Sequence, residues 1–270
     1  MDRSELYTAV DLWMSDQGAA TTTYGDINTW DVSGINDFSQ LFDFHRNPLA
    51  IEFNSDISKW DVSSGNDFSE MFKWAFEFDQ DIGSWDVGSG TDFTEMFDNA
   101  FLFNQDIGDW DVSSGTIFEK MFDSADSFNQ DIGDWDVSSG RDFSGMFGYN
   151  DDFNQDLSDW NVSNGNDFYA MFFNAVEFDQ DIGSWDVSAG SNFTYMFSET
   201  GAFNQDISSW NVSSGEYFTN MFLSANQMNE NGWETTPTAA DFLGLTTTGD
   251  ATAETITGAT GNDILSGLGG

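Results

Sequence analysis

Aspartate recurs in this chain at fixed intervals, and regularly spaced carboxylates are candidate ligands for a hard cation. Calcium takes six to eight oxygen ligands, mostly from carboxylates, carbonyls and waters. We therefore expect Ca²⁺ to bind members of two aspartate columns, one immediately before an isoleucine or leucine and one between a tryptophan and a valine. The candidate metal ligands are Asp56, Asp81, Asp106, Asp131, Asp156, Asp181 and Asp206 in the first column and Asp61, Asp86, Asp111, Asp136 and Asp186 in the second.

Both columns also have interpretations that need no metal. Aspartate side chains commonly accept hydrogen bonds from turn amides, which would give the first column a purely structural role. The second column could be a solvated acidic face that keeps the protein soluble. A further column of asparagine and aspartate, including Asn104 and Asn129, is better explained as a hydrogen-bonded ladder at a turn than as a binding site.

An acidic patch at the middle of the chain is the predicted ligand site. Side chains alternate between the two faces of a strand, so the second column would point out of a sheet, away from the buried tryptophan and valine. Acids two residues earlier would lie on the same face. The predicted ligand-binding residues are Asp109, Asp111, Asp134, Asp136, Asp159 and Asn161. Such a patch favours a ligand that is cationic or is bound through Ca²⁺.

A repeat of 25 residues must position these acids. Tryptophan stands at 30, 60, 85, 110, 135, 160, 185 and 210, so every gap after the first is 25 residues. A fixed period in the range of about 20–50 residues indicates a solenoid or propeller. A four-stranded propeller blade needs about 40 residues, which favours the solenoid.

Each repeat has the apolar pattern of a short strand followed by a short helix. Trp60 and Val62 alternate with polar residues, whereas Phe68, Phe72 and Ala75 follow helical spacing. The expected fold is a leucine-rich-repeat-like α/β solenoid of eight repeats, with a concave parallel β-sheet and short helical turns outside. A simple β-helix is the alternative architecture.

Composition and charge limit the possible partners. The chain has 48 acidic and six basic residues, giving a formal charge of −42, and it contains no cysteine. Such a chain repels nucleic acid and anionic membranes, and no apolar run is long enough to span a bilayer. We therefore expect neither nucleic-acid binding nor membrane insertion. Phenylalanine, with 28 residues, and tryptophan, with 11, supply a core of stacked aromatic side chains.

Four segments are expected along the chain. Residues 1–24 carry an amphipathic pattern typical of a capping helix, and residues 25–228 form the repeat array. Residues 229–257 are expected to form a C-terminal cap and linker. Residues 258–270 read GATGNDILSGLGG and match the start of a glycine-rich nonapeptide repeat of calcium-binding β-rolls.

The wording of the repeat resembles a known family. The motif F-N-Q-D-I-x-x-W-D-V-S-S-G-x-D-F-x-x-M-F resembles the bacterial surface-protein repeat of about 25–26 residues, which is related to BspA-like leucine-rich repeats. The C-terminal glycine-rich motif resembles RTX proteins. These resemblances imply a secreted, cell-surface-associated module of a large RTX-type adhesin.

The expected function is a calcium-stabilised ligand-binding or adhesion module. Its partner would be an extracellular peptide, a glycan, or a host or other cell surface, bound on the concave face. A passive, calcium-stiffened spacer is the alternative, and a carbohydrate-active enzyme is a weaker one. We expect no enzyme, because the paired carboxylates recur in every repeat and the single histidine, His45, lies alone in an insertion.

Overall fold

The computed structural model describes residues 1–242, and the glycine-rich motif at 258–270 and most of the linker to 257 lie outside them. Its helices are α1 (Arg3–Ser15), α2 (Gln17–Tyr24), α3 (Asn226–Glu230) and α4 (Ala239–Phe242), with 3₁₀ helices at Ile27–Thr29 and Pro48–Glu52. The chain from the first 3₁₀ helix to α3 is a stack of turn-rich units, in which equivalent side chains lie on top of one another.

Helix α1 lies over the first unit of the stack. The side chain of Asp2 accepts a hydrogen bond from the backbone N–H of Glu5 and so caps the start of the helix. The inner face of α1 buries Leu6, Ala9, Val10 and Trp13. The ring of Trp13 meets that of Trp30 edge-on, with centroids 5.8 Å apart. The N-terminal helices therefore cover the first core tryptophan.

The predicted concave parallel sheet is wrong for residues 1–242, because the Trp-x-Val segments are not strands. In the second unit, Trp60 N–H donates to Ile57 O, and Gly65 N–H donates to Val62 O, which closes two tight turns. These backbone groups are used locally and are not available to a strand ladder. Each pair of neighbouring units instead shares one isolated parallel bridge. The first bridge joins Asp37 to Asp67, and the last joins Asn192 to Tyr217.

The predicted helical turns are also absent from the repeats. Residues 68–71 and 72–75 form two consecutive tight turns, closed by backbone hydrogen bonds of 3.2 and 3.0 Å. The third residue of each turn is left-handed, with φ of 56° at Glu70 and 59° at Trp74. A right-handed helix cannot continue through such residues. The apolar residues have the predicted spacing and are buried, but they lie in turns rather than in a helix.

Backbone hydrogen bonds connect the paired turns of successive units. The N–H of Phe68 donates to Asp92 O, that of Glu70 to Thr94 O, and that of Phe72 to Met96 O. The same three donations recur along most of the stack. Each unit therefore depends on its neighbour to satisfy its backbone, as repeat architectures require.

Stacked aromatic rings fill the core. Phe122 and Phe147 stack with centroids 5.8 Å apart, and Trp135 and Trp160 stack at 6.4 Å with their planes only 5° apart. The glycine of each repeat serves this packing. Gly65 does not have a positive φ, and a Cβ there would lie 2.5 Å from Phe68 Cζ. Glycine is required because the ring occupies that space.

An asparagine–aspartate ladder joins the units at one edge. Asn104 Oδ1 accepts the backbone N–H of Asn129 at 3.1 Å and the side-chain amide of Gln130 at 2.8 Å. Asn129 Oδ1 in turn accepts the N–H of Asn154 at 3.0 Å. Each unit thus supplies an oxygen to the next unit, and the ladder has one direction along the stack.

Candidate functional site

The first aspartate column forms turns. Asp131 Oδ1 accepts the backbone N–H of Gly133 at 3.0 Å, and the equivalent bond two residues ahead is made throughout the column. One carboxylate oxygen of each residue is therefore used within its own unit. The other members with this bond are Asp26, Asp56, Asp81, Asp106, Asp156, Asp181 and Asp206.

The second column uses its side chains in the same way on an exposed surface. Asp111 Oδ1 accepts the N–H of Ser113, and Asp136 Oδ1 that of Ser138, each at 3.0 Å. Hydrogen bonding by these serines lowers the pKa of both carboxyl groups below the usual range. The equivalent bond is made by Asp61, Asp86, Asn161, Asp186 and Asn211.

These columns do not assemble into a metal cage in the part of the chain that the structure describes. Within residues 1–242, no group of three or more histidine, cysteine, aspartate or glutamate side chains is placed to hold a metal ion. Each unit contributes one acid per column, whereas calcium needs six to eight oxygens. Calcium binding by the columns stays a prediction from the sequence.

The predicted ligand patch is an exposed acidic surface. Asp109, Asp134 and Asp159 are exposed, as are the second-column residues Asp111, Asp136 and Asn161. No concave sheet lies beneath them, because these segments are turns. Among the described contacts, the side chains of Asp109, Asp134 and Asp159 make no hydrogen bond and no ion pair.

A cleft of about 490 Å³ opens beside the paired turns, away from this patch. Its walls are mainly aromatic rings set at steep angles to one another. Tyr149 and Phe173 have ring centroids 5.0 Å apart and planes inclined by 69°. Tyr169 and Tyr195 are 6.1 Å apart at 82°, and Phe173 and Tyr195 are 6.1 Å apart at 89°. The cleft is therefore a box of ring faces and edges.

Two glycines open the cleft. Gly145 has φ +63°, and a Cβ there would lie 2.7 Å from Lys120 Cγ. A Cβ at Gly148 would lie 2.8 Å from Asp123 Oδ1. The three preceding units carry larger side chains at both positions, with Lys120 and Asp123 in the nearest of them. The missing side chains leave a gap in this unit. The stem of Lys120 and the carboxylate of Asp123 lie beside it.

Asp123 is a half-buried acid in the wall of this cleft. Burial raises its pKa to about 7, with Asp98 and Glu95 adding to the rise and Lys120 and Lys73 opposing it. Within residues 1–242 its carboxylate accepts no hydrogen bond and forms no ion pair. It is therefore a partly desolvated carboxylate that faces the cleft and has no hydrogen-bond or ion-pair partner among the described residues.

A chain of charged side chains runs from Asp123 toward the N-terminal units. Lys73 Nζ contacts the carboxylate of Glu95 and lies 3.7 Å from Asp98 Oδ2. Lys120 Nζ lies 3.6 Å from Glu95 Oε1. Burial raises the pKa of Asp98 to about 6 despite a hydrogen bond from Asn99 and the attraction of Lys73. The two ammonium groups thus converge on Glu95 and lie nearer to it than to Asp123.

One family model matches the repeats. The family described as "Mycoplasma protein of unknown function, DUF285" matches residues 13–133, 107–190 and 166–242, which together span 13–242. The chain belongs to this family. No curated protein and no solved structure matches this DUF285 chain. The family description names no function, so the adhesin and RTX resemblances stay predictions.

Sequence reasoning missed the cleft of this DUF285 chain. The signal was present as a local break in the repeat, with Gly145 and Gly148 replacing larger residues and Tyr169, Phe173 and Tyr195 following in the next two units. The paired carboxylates recur in every repeat and therefore do not mark this position. Among the described helices, none is both long and apolar enough to cross a membrane.

Proposed function

We propose that this chain is a ligand-binding module whose partner is held in the aromatic cleft, and that it acts as an adhesion module of an exported surface protein. The observation that supports this proposal is the cleft itself, an aromatic box with Lys120 and Asp123 in its wall. Ligand sites are commonly apolar clefts of about 300–1,000 Å³ with a few polar groups that orient the ligand.

The cleft interrupts an otherwise regular repeat, which supports a function for it. Most units repeat the same turns and the same stacked rings with little change. The cleft lies where two successive glycines remove side chains and three aromatic residues replace the polar residues of other units. Tyr149 and Tyr169 are 48% and 42% exposed, whereas the ladder rings of the core are buried. Exposed rings of this kind favour recognition of a partner.

The partner class is an extracellular peptide or a glycan, since both offer apolar faces and polar groups to such a box. A nucleic acid is disfavoured by the charge of −42. A passive spacer is the alternative, and the uniform stacking of the remaining units favours it.

Binding to peptide and glycan arrays tests the proposal. We expect hits for the intact chain that are lost in the double variant Tyr149→Ala with Tyr169→Ala. Tyr217→Ala is the matched control, because Tyr217 is 56% exposed and lies outside the cleft. Unchanged melting of the double variant would show that the fold is intact.

A second double variant separates the cleft from the exposed acidic patch. If Asp111→Ala with Asp136→Ala abolished binding and the tyrosine variant did not, the patch would be the site and the proposal for the cleft would be wrong. Absence of any hit would favour the spacer, and hydrolysis of an arrayed glycan would indicate an enzyme.

A further inference from the structure

We infer that the cleft binds a basic side chain, lysine or arginine, of a peptide partner, with Asp123 as its counter-ion and the tyrosine rings as its walls. This inference rests on the proposed function and chooses the peptide over the glycan. It assigns the ligand chemistry from the charges and the ring geometry around the cleft.

Asp123, in the wall of the cleft, favours a positively charged ligand. The Asp123 carboxylate is half-buried and has no partner within residues 1–242. Lys120 also lines the cleft, but its ammonium group lies 3.6 Å from Glu95 Oε1. Around these groups, the carboxylates of Glu70, Glu95, Asp98 and Asp123 outnumber the ammonium groups of Lys73 and Lys120. A bound cation would restore the balance at the place where a carboxylate faces solvent through the cleft.

The rings suit a cation as well. Cations are attracted to the faces of tyrosine rings within about 6 Å of the centroid, and arginine and lysine both use this contact. Because the rings of Tyr169 and Tyr195 are nearly perpendicular, one face and one edge meet at the same corner. Tyr149 comes from the unit next to that of Asp123, and both residues line the same cleft. A guanidinium or ammonium group in the cleft is therefore offered ring faces as well as a carboxylate.

The rest of the protein favours the same ligand. The formal charge of −42 attracts basic peptides over long range and repels acidic ones. A neutral glycan would gain nothing from this field, and it would leave the Asp123 carboxylate desolvated without a counter-charge. An anionic ligand would be repelled both by the net charge of the protein and by the Asp123 carboxylate.

Calorimetric titration of the full chain with three tripeptides tests the inference. The central residue is lysine, arginine or norleucine, each between capped glycines, so norleucine supplies the lysine stem without its charge. We expect the two charged peptides to bind and the norleucine peptide to bind at least about tenfold more weakly. Equal binding of the lysine and norleucine peptides would overturn the inference.

Two variants locate the contact. Asp123→Asn removes the charge with little change of shape and should weaken binding of the lysine peptide about tenfold to a hundredfold. Glu177→Gln is the matched control, since it removes one exposed acid away from the cleft. Equal losses in the two variants would show general attraction by the acidic surface and would overturn the cleft as the site.

The pH profile supplies an independent readout. A bound cation favours ionised Asp123, so binding should strengthen as the pH rises through about 7 and this dependence should vanish in Asp123→Asn. Asp98, Glu95, Lys73 and Lys120 are the charged groups that act on Asp123. If glycans bind in a cleft-dependent manner and the charged peptides do not, only this inference fails. If no ligand depends on the cleft, the proposed function fails with it.

Discussion

The indole N–H of Trp135 donates a hydrogen bond to the backbone carbonyl of Ile107, 3.0 Å away in the preceding unit. The same bond, between residues 28 apart, links Trp110 to Ile82 and Trp160 to Ile132. Buried indole N–H groups normally find an acceptor, and from Trp60 to Trp210 the acceptor belongs to the preceding unit. The tryptophan column therefore connects the units by hydrogen bonds as well as by stacking.

Replacing Trp135 should separate these two contributions. Trp135→Phe keeps an aromatic ring but removes one of the two donors to the Ile107 carbonyl, which still accepts the backbone N–H of Trp110. We therefore expect a loss of about 0.5–1.5 kcal/mol in the free energy of unfolding. Trp135→Ala also leaves a cavity and should cost about 3–5 kcal/mol. Urea denaturation followed by circular dichroism measures both. Trp74→Phe is the control, because the Trp74 indole makes no hydrogen bond within the described residues, and a loss there equal to that of Trp135→Phe would contradict the assignment.

The left-handed residues of the paired turns offer a stabilising substitution. Ser124 has φ 55°, a conformation that costs a non-glycine residue about 1–2 kcal/mol. Ser124→Gly removes that cost and adds backbone freedom to the unfolded chain, so we expect a net gain of about 0.5 kcal/mol. Ser127→Gly, three residues later and without positive φ, should instead lose about 0.5–1 kcal/mol. Thermal melting of the two variants tests this prediction. A change of melting temperature with the same sign in both variants would show that the turn conformation has no energetic effect.

Stability should fall as the pH rises toward neutrality. Folding raises the pKa of Asp98 to about 6 and that of Asp123 to about 7, above the usual value of 3.8. The folded state therefore binds more protons than the unfolded state between these values, and stability is lost as the pH rises through this interval. Each group should contribute on the order of 2 kcal/mol, seen as a melting temperature that is higher near pH 5 than near pH 8.

The matching variants give this prediction its control. Asp98→Asn and Asp123→Asn should raise the melting temperature at about pH 8 and flatten the pH profile, since neither side chain then titrates. Glu177→Gln, which removes an exposed acid, should leave the shape of the profile unchanged. A profile that kept its slope in both aspartate variants would assign the effect to the overall charge.

Cations should stabilise the acidic columns. Screening shortens the range of repulsion between like charges, so raising NaCl from about 0.01 M to about 1 M should raise the melting temperature. Calcium at matched ionic strength should raise it further if the columns bind the ion, because a ligand of the folded state stabilises it. Equal melting in calcium and in sodium chloride of the same ionic strength would contradict the predicted calcium sites.

The sequence predicted the period and the buried columns better than the backbone. The sequence predicts stacked aromatic ladders, and Trp135, Phe122 and Phe147 lie in them, because a strict 25-residue spacing places equivalent rings one above another. The same apolar spacing suits a helix or a pair of turns equally well. Glu70 is an ordinary helix-forming residue, so its left-handed conformation, which depends on bonds to the next unit, left no local signal.

The cleft was harder still to predict. Gly145 and Gly148 have no side chains to cover Lys120 and Asp123, which lie one unit earlier in the sequence. Tyr169 and Tyr195 come from the two units that follow. The cleft therefore depends on differences between equivalent positions in four successive units, and no single unit contains its pattern.

The directional ladder that runs through Asn104, Asn129 and Asn154 has an evolutionary consequence. From Asn54 onward, each unit offers a side-chain oxygen, and the following unit donates a backbone N–H to it, so the ladder does not distinguish one unit from another as a neighbour. A gene can then gain or lose one whole repeat by unequal recombination without creating a mismatched junction. Outside the four units that line the cleft, the length of the protein can therefore change in steps of one unit, while any other change in length breaks the ladder where it occurs.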